Sequence, residues 1–198
     1  MLIVFIGPPG AGKGTQCKRL LAFLKIPHLS TGELLREAKA KDNPLGRQAT
    51  QYMEQGRLVP DSLVLEMVDQ KLKEPQFSVG CLFDGFPRTL EQARALDETL
   101  TKRGRPLDLA LELKADEKEL IARMVKRAAA ERRVDDNPAT IAQRMEVYRQ
   151  QTSPLLQYYA TQGRLVTIDA LGTPDDVFAR IRRAVVDKQK PQSVGEHQ

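Results

Sequence analysis

Five apolar residues, Leu2 to Ile6, run into Gly7-Pro8-Pro9-Gly10-Ala11-Gly12-Lys13-Gly14-Thr15, and a helical pattern follows. No other segment restricts the fold as much. Glycines at this spacing let the backbone curl until successive N–H groups point at one anion, and the lysine sets a charge beside it. A helix opening at Lys13 aims its positive end at the same place. Strand, glycine loop and helix together read as the start of a parallel α/β sheet that binds phosphate. The general pattern G-x-x-x-x-G-K-[ST] wants a hydroxyl directly after the lysine; here Gly14 holds that place and Thr15 follows. The alternative is a glycine-rich turn with a surface lysine, which does not account for both flanks.

A chain of 198 residues suits one domain with small insertions and can cover both faces of a sheet. Its 41% hydrophobic and 29% charged content is ordinary for a soluble protein. A net charge of +5 invites a nucleic-acid reading. Basic and acidic residues are intermixed without a basic tract, however, and arginines gathered around nucleotide phosphates give the same sum. No nucleic-acid partner is expected. Of the two cysteines, Cys17 falls in the first helix and Cys81 in an apolar strand. Neither belongs to a metal-spaced pair, so neither a disulfide framework nor a zinc site is expected. The N-terminal apolar run is too short for a signal peptide and no stretch reaches membrane-spanning length, so a reducing cytoplasm and no membrane are expected.

Short apolar runs alternate with helical patterns, which predicts a five-stranded parallel sheet with helices on both faces. The strands are expected near Leu2 to Ile6, Pro27 to Leu29, Cys81 to Phe83, Leu107 to Leu113 and Arg164 to Ile168. Thr31 and Thr89 read as helix N-caps, and Asp116 with Glu119 as a loose capping box. Thr173-Pro174 starts the last helix, with Val177, Ile181 and Ala184 or Val185 as its buried stripe. Two segments exceed what a crossover needs. One reads as three helices, Gly32 to Ala40, Pro44 to Gln55 and Asp61 to Lys73; the other is a charged connection, Ala128 to Asn137. Both are candidates for mobile pieces over a site.

Asp84-Gly85-Phe86-Pro87-Arg88 follows the apolar run Cys81 to Phe83. In a parallel sheet ligands lie beyond the carboxyl ends of the strands, so Asp84 faces the same crevice as the glycine loop. A carboxylate there is placed to hold Mg²⁺ through water, and Arg88 to clamp a phosphoryl group. Taken alone, the same residues are equally a turn. Arginines are also in surplus: Arg36, Arg57, Arg88, Arg123, Arg127, Arg132, Arg133, Arg144 and Arg149. A planar, permanently charged, bidentate group suits the fixing of several phosphates, although any one of these is also an ordinary surface charge.

Together, Gly7 to Thr15, Ser30-Thr31-Gly32-Glu33-Leu34-Leu35-Arg36, Gly56-Arg57-Leu58-Val59-Pro60, Asp84 to Thr89 with Gln92, and Arg132-Arg133-Val134-Asp135-Asp136-Asn137 with Arg144 resemble the adenylate kinases of the short-lid kind. The resemblance runs in consistent order from residue 2 to about 186. It implies the phosphate-binding-loop NTPase fold and reversible transfer of the ATP γ-phosphoryl to AMP, giving two ADP, with Mg²⁺ near Thr15 and Asp84. Gly10, Ala11, Gly12, Lys13, Gly14 and Thr15 are then the ATP-phosphate residues. Arg123, Arg127 and Gly172 complete the ATP side. The AMP side falls to Thr31, Arg36, Arg57, Leu58, Val59, Gly85, Phe86, Pro87, Arg88 and Gln92. Arg133 and Arg144 meet the transferring phosphates and count with both AMP and catalysis, alongside Lys13, Asp84 and Arg88. The implied domain spans 1–198, with core 1–29, 60–125 and 133–187, an AMP-binding insertion over 30–59, a lid over 126–132 and a frayed tail over 188–198. A monomer with small nucleotides as its partners is expected.

Two departures from the family pattern matter. Ala128-Ala129-Ala130 stands where a glycine is usual after Lys126-Arg127, and Glu33 replaces an aspartate. A kinase of the same fold for UMP or CMP is the nearest rival; Thr31 and Gln92 favour adenine, because a glutamine amide can pair with its edge as donor and acceptor at once. A nucleotide switch or motor ATPase is a rival of another class, and would want Ser or Thr directly after Lys13. A nucleic-acid-binding protein has no recognised motif here.

Overall fold

The computed structural model describes residues 1–40, 44–131 and 138–189, without the side chains of Leu45 and residues 127–131. Five strands, β1 (Leu2–Ile6), β2 (His28–Ser30), β3 (Cys81–Asp84), β4 (Leu109–Lys114) and β5 (Leu165–Asp169), form one sheet in the order β2-β3-β1-β4-β5. Every pairing is parallel, with Phe5 opposite Asp84 and Ile6 opposite Glu112. All five expected strands are present. Their ends differ by a residue or two, because an apolar run marks burial and not the last ladder hydrogen bond.

The sheet is covered on both sides because its strands are apolar on both sides. Alternation along β1 divides the core: Leu2, Val4 and Ile6 pack with Leu29, Phe83 and Phe86, whereas Ile3 and Phe5 pack with Cys17, Leu20 and Leu111. The first layer belongs to α2 (Thr31–Ala40), α3 (Pro44–Glu54), α4 (Asp61–Leu72), α5 (Leu90–Lys102) and α8 (Pro154–Thr161). The second belongs to α1 (Lys13–Leu24), α6 (Glu117–Glu131), α7 (Pro138–Val147) and α9 (Pro174–Gln189), where Val177, Ile181 and Val185 are the buried stripe. Among the described residues no helix is long and apolar enough to cross a membrane.

The helix ends show where local rules held. Thr89 Oγ1 accepts from Gln92 N at 3.2 Å, an ordinary N-cap. Thr173 and Asp176 form a reciprocal box, Asp176 N donating to Thr173 Oγ1 at 3.2 Å and Thr173 N to Asp176 Oδ2 at 2.9 Å. Thr31 is not the cap of α2. The cap is Ser30, whose Oγ accepts from Glu33 N at 3.4 Å, while the Thr31 hydroxyl donates to Gly85 O at 2.8 Å. At α6, Asp116 caps Lys118 N at 2.8 Å, but Glu119 turns to Arg123 at 2.8 Å instead of back to the cap. Residues 128–131 continue α6 and are not a loop, as the helix propensity of three successive alanines favours.

Candidate active site

Every strand of a parallel sheet ends on the same side, and that side carries a cavity of about 900 Å³. The glycine loop forms one wall. Gly7, Gly10, Ala11, Gly12, Lys13, Gly14 and Thr15 all line it, with α1 beginning at Lys13 so that its free N–H groups face the cavity. Two glycines are required there. Gly10 has φ +82°, and a Cβ on it would stand 2.5 Å from Leu120 O; Gly12 has φ +86°. Gly14 has neither constraint, since a Cβ there meets nothing within 4 Å.

Lys13 folds onto its own loop, Nζ donating to Gly7 O at 2.5 Å and Pro8 O at 3.0 Å. Burial pulls its pKa from the usual 10.5 down to about 8; the Asp84 carboxylate opposes that fall, and Arg88 and Arg144 add to it. Asp84 ends β3 opposite the loop. Burial raises its pKa, but His28, Lys13 and Arg88 outweigh this and hold the carboxyl below its ordinary value. It is therefore ionised at neutral pH. Asp84 and Thr15 supply oxygen atoms on the same cavity, which fits a magnesium ion held through water.

A second cavity of about 110 Å³ adjoins the first, and Arg36, Arg88 and Arg144 line both. Burial lowers the Arg88 pKa, as do Arg144 and Arg36, with Asp84 acting in the opposite sense. Three guanidinium groups gathered in so small a volume make a strongly electropositive wall that suits a polyanion. Thr31, Arg57, Val59 and Gln92 line the smaller cavity; Leu58 and Gly85 line both. The connection between α3 and α4 meets α7 at Gly56, φ +68°, where a Cβ would stand 3.1 Å from Arg144 Cγ.

A knot of hydrogen bonds holds this wall. Gly85 O accepts from Thr31 Oγ1 and from Arg88 Nε, each at 2.8 Å. Arg88 N donates to Gln92 Oε1 at 2.8 Å, and Arg88 O accepts from Thr152 Oγ1 at 2.9 Å. Thr152 closes a π-helical turn, Tyr148–Thr152, a distortion frequent at functional sites. Gln92 Nε2 donates to Asp61 Oδ1, and Thr89 Oγ1 to Asp61 Oδ2, each at 2.6 Å. Asp61 and Thr152 were not singled out from sequence, because their partners lie in distant segments.

Other expected site residues fall in different surroundings. Arg123 lines the larger cavity and donates to Ala170 O at 3.1 Å. Pro87 lines it too, but Phe86 is fully buried against Phe83 and lines neither of the two cavities. Gly172, φ +101°, precedes the capping box of α9 and lines neither cavity. Arg149 is a surface residue paired with Glu117 and Glu146. The side chain of Arg127, and Arg132 and Arg133, lie outside the described residues.

Comparison with known proteins identifies the family. The adenylate kinase family model matches residues 5–164. An adenylate kinase of Maricaulis maris is 46% identical over 188 residues, 95% of this chain and 100% of the relative. One of Thermus thermophilus is 48% identical over 183 residues, 92% and 96% of the two chains, and one of Mycolicibacterium paratuberculosis 48% identical over 180, covering 91% and 96%. With a glycine loop, an arginine wall and relatives of this identity along nearly its whole length, the chain belongs to the adenylate kinase family and is a phosphotransferase.

Proposed function

We propose that the chain transfers the γ-phosphoryl of ATP to AMP, reversibly, giving two ADP. The observation that carries this reading is the shared wall: Arg36, Arg88 and Arg144 border both the cavity of the phosphate loop and the smaller one beside it. A hydrolase needs one phosphate site, whereas a nucleotide-to-nucleotide transferase needs two that meet.

In this reading the loop N–H groups from Gly10 to Thr15 hold the donor phosphates, and Lys13 exchanges its carbonyl partners for phosphate oxygens. Arg123 supports the donor, with Arg127 and Gly172 assigned there by resemblance alone. The acceptor phosphate belongs to Arg36 and Arg88, and its base to Gln92, with Thr31, Arg57, Leu58, Val59 and Gly85 around it and Phe86 and Pro87 assigned there by resemblance alone. Gln92 is oriented for that task, because Asp61 claims its amide nitrogen and Arg88 N its oxygen, leaving one donor and one acceptor for an adenine edge.

Phosphoryl transfer needs little covalent help, so positioning and charge neutralisation supply most of the acceleration. Arg88 and Arg144, with Arg133 assigned by resemblance to the lid side, spread positive charge over the transferring group; no general base is required. Bound Mg²⁺ would neutralise further phosphate charge, held through water by Asp84 and Thr15. The division into core, insertion over 30–59 and lid over 126–132 belongs to the same proposal, and closing both pieces would exclude water and suppress hydrolysis. A monomer in the cytoplasm fits the reading.

A coupled assay with AMP, CMP, UMP and GMP as acceptors tests it. AMP is expected to be the preferred acceptor; preference for CMP or UMP overturns the acceptor assignment, and equal phosphate release without any acceptor overturns the transferase.

A further inference from the structure

Cys17, His28 and Asp84 are far apart in sequence, yet the sheet brings them together. Cys17 lies on α1, His28 begins β2 and Asp84 ends β3. One sulfur, one imidazole nitrogen and one carboxylate oxygen from these residues lie within 4.8 Å of one another. Parallel pairing of β2 with β3 sets His28 beside Leu82 and Ser30 beside Asp84, and Cys17 belongs to the core layer on the α1 face of the same sheet.

The imidazole carries the second observation. Its Nε2 is buried with no hydrogen-bond partner. The nearest acidic oxygen, Asp84 Oδ2, is 3.8 Å away, too far for a hydrogen bond. A buried ring nitrogen left without a partner is uncommon and asks for an explanation. A cation seated between nitrogen and carboxylate supplies one. At the opposite ring edge Nδ1 lies 3.7 Å from Glu33 Oε2, likewise beyond hydrogen-bonding distance, so that carboxylate adds negative charge near the ring without fixing it. His28 and Asp84 line the larger cavity, which gives an ion a way in, and Cys17, 1% exposed, is buried in the core next to them.

We propose that Cys17 Sγ, His28 Nε2 and the Asp84 carboxylate form a site for a borderline-soft divalent cation of the zinc class, with a fourth position open to the cavity. Sulfur, nitrogen and oxygen together suit zinc, whereas magnesium takes oxygen alone. On binding, the Cys17 S–H bond breaks, a sulfur–metal bond forms, and the proton passes to solvent. The ion would also withdraw Asp84 from the donor side and so inhibit transfer; that consequence rests on the reading above, but the binding does not.

Cobalt(II) reports thiolate ligation directly. Titration of the nucleotide-free full chain with Co²⁺ is expected to raise a near-ultraviolet thiolate-to-cobalt charge-transfer band that saturates at one equivalent and is lost when Zn²⁺ is added. Cys17→Ala should abolish the band. Absence of the band from the unaltered protein, or an undiminished band in Cys17→Ala, overturns the site. Should Cys17→Ala fail to fold, His28→Gln takes its place at a side chain that is 22% exposed, and unchanged Co²⁺ affinity there overturns it equally. In the transfer assay Zn²⁺ should inhibit the unaltered enzyme and spare Cys17→Ala; equal inhibition of both overturns the inhibitory role.

Discussion

Asp61 holds Gln92 by its side-chain amide at 2.6 Å, across 31 residues of sequence, and with its other oxygen takes the hydroxyl of Thr89 at 2.6 Å. One carboxylate at the start of α4 thereby orients both the N-cap of α5 and the residue assigned to read the acceptor base. Hydrogen bonds to a charged group contribute about 1.5–3 kcal/mol each.

Asp61→Ala is therefore expected to lower the unfolding free energy by roughly 2–4 kcal/mol in urea titration. It should also raise KM for AMP by about tenfold or more with a smaller change in kcat, and narrow the preference for AMP over CMP. A stability loss with unchanged KM and preference would confine Asp61 to a structural role.

Two glycines of the phosphate loop should part company. Gly10→Ala drives a Cβ to within 2.5 Å of Leu120 O at φ +82°, so it should destabilise the fold and abolish most activity. Gly14→Ala finds open space in a helical turn and should stabilise the nucleotide-free protein by about 0.5–1 kcal/mol, read from urea unfolding. Destabilisation by Gly14→Ala would contradict the helical assignment at that position.

Arg88→Ala removes a guanidinium from the shared wall at the cost of one side-chain hydrogen bond, Nε to Gly85 O. By analogy with arginine fingers, kcat should fall about 10³- to 10⁵-fold. The unfolding midpoint should move little. Near-normal turnover in a folded variant would remove Arg88 from the mechanism.

Much of this was legible in the chain because the relevant rules are local. Short apolar runs bounded by turns mark all five strands, and Thr89 and Thr173 mark helix starts, since caps and strands depend on near neighbours. The phosphate loop is legible for the same reason, being one continuous segment. Contacts between segments were not. Thr31 yields the capping of α2 to Ser30 because Gly85 O takes its hydroxyl, and Glu119 leaves its box for Arg123. Asp61 has no local mark, and the Cys17, His28 and Asp84 cluster exists only once β2, β3 and α1 are side by side.

The lowered Lys13 pKa gives a proton signature. The folded chain releases this proton near pH 8 and the unfolded chain near 10.5, so the unfolded state binds more protons between those values. Stability without nucleotide should therefore rise with pH across that window, with the burial penalty fully present below pH 8. Phosphate beside Lys13 restores the charged form, so nucleotide binding above pH 8 should take up protons, approaching one per chain. Calorimetry in buffers of different ionisation enthalpy reads this uptake; none at pH 9 would place Lys13 away from the phosphates.

In the proposed reaction two phosphate sites share one arginine wall, so the phosphoryl group passes from nucleotide to nucleotide and not to water. Phosphorus NMR of the enzyme with Mg·ATP, before and after addition of AMP, tests this most directly. Almost no inorganic phosphate is expected before AMP and, after it, two ADP for each ATP consumed. Free phosphate released at the same rate with and without AMP would contradict it.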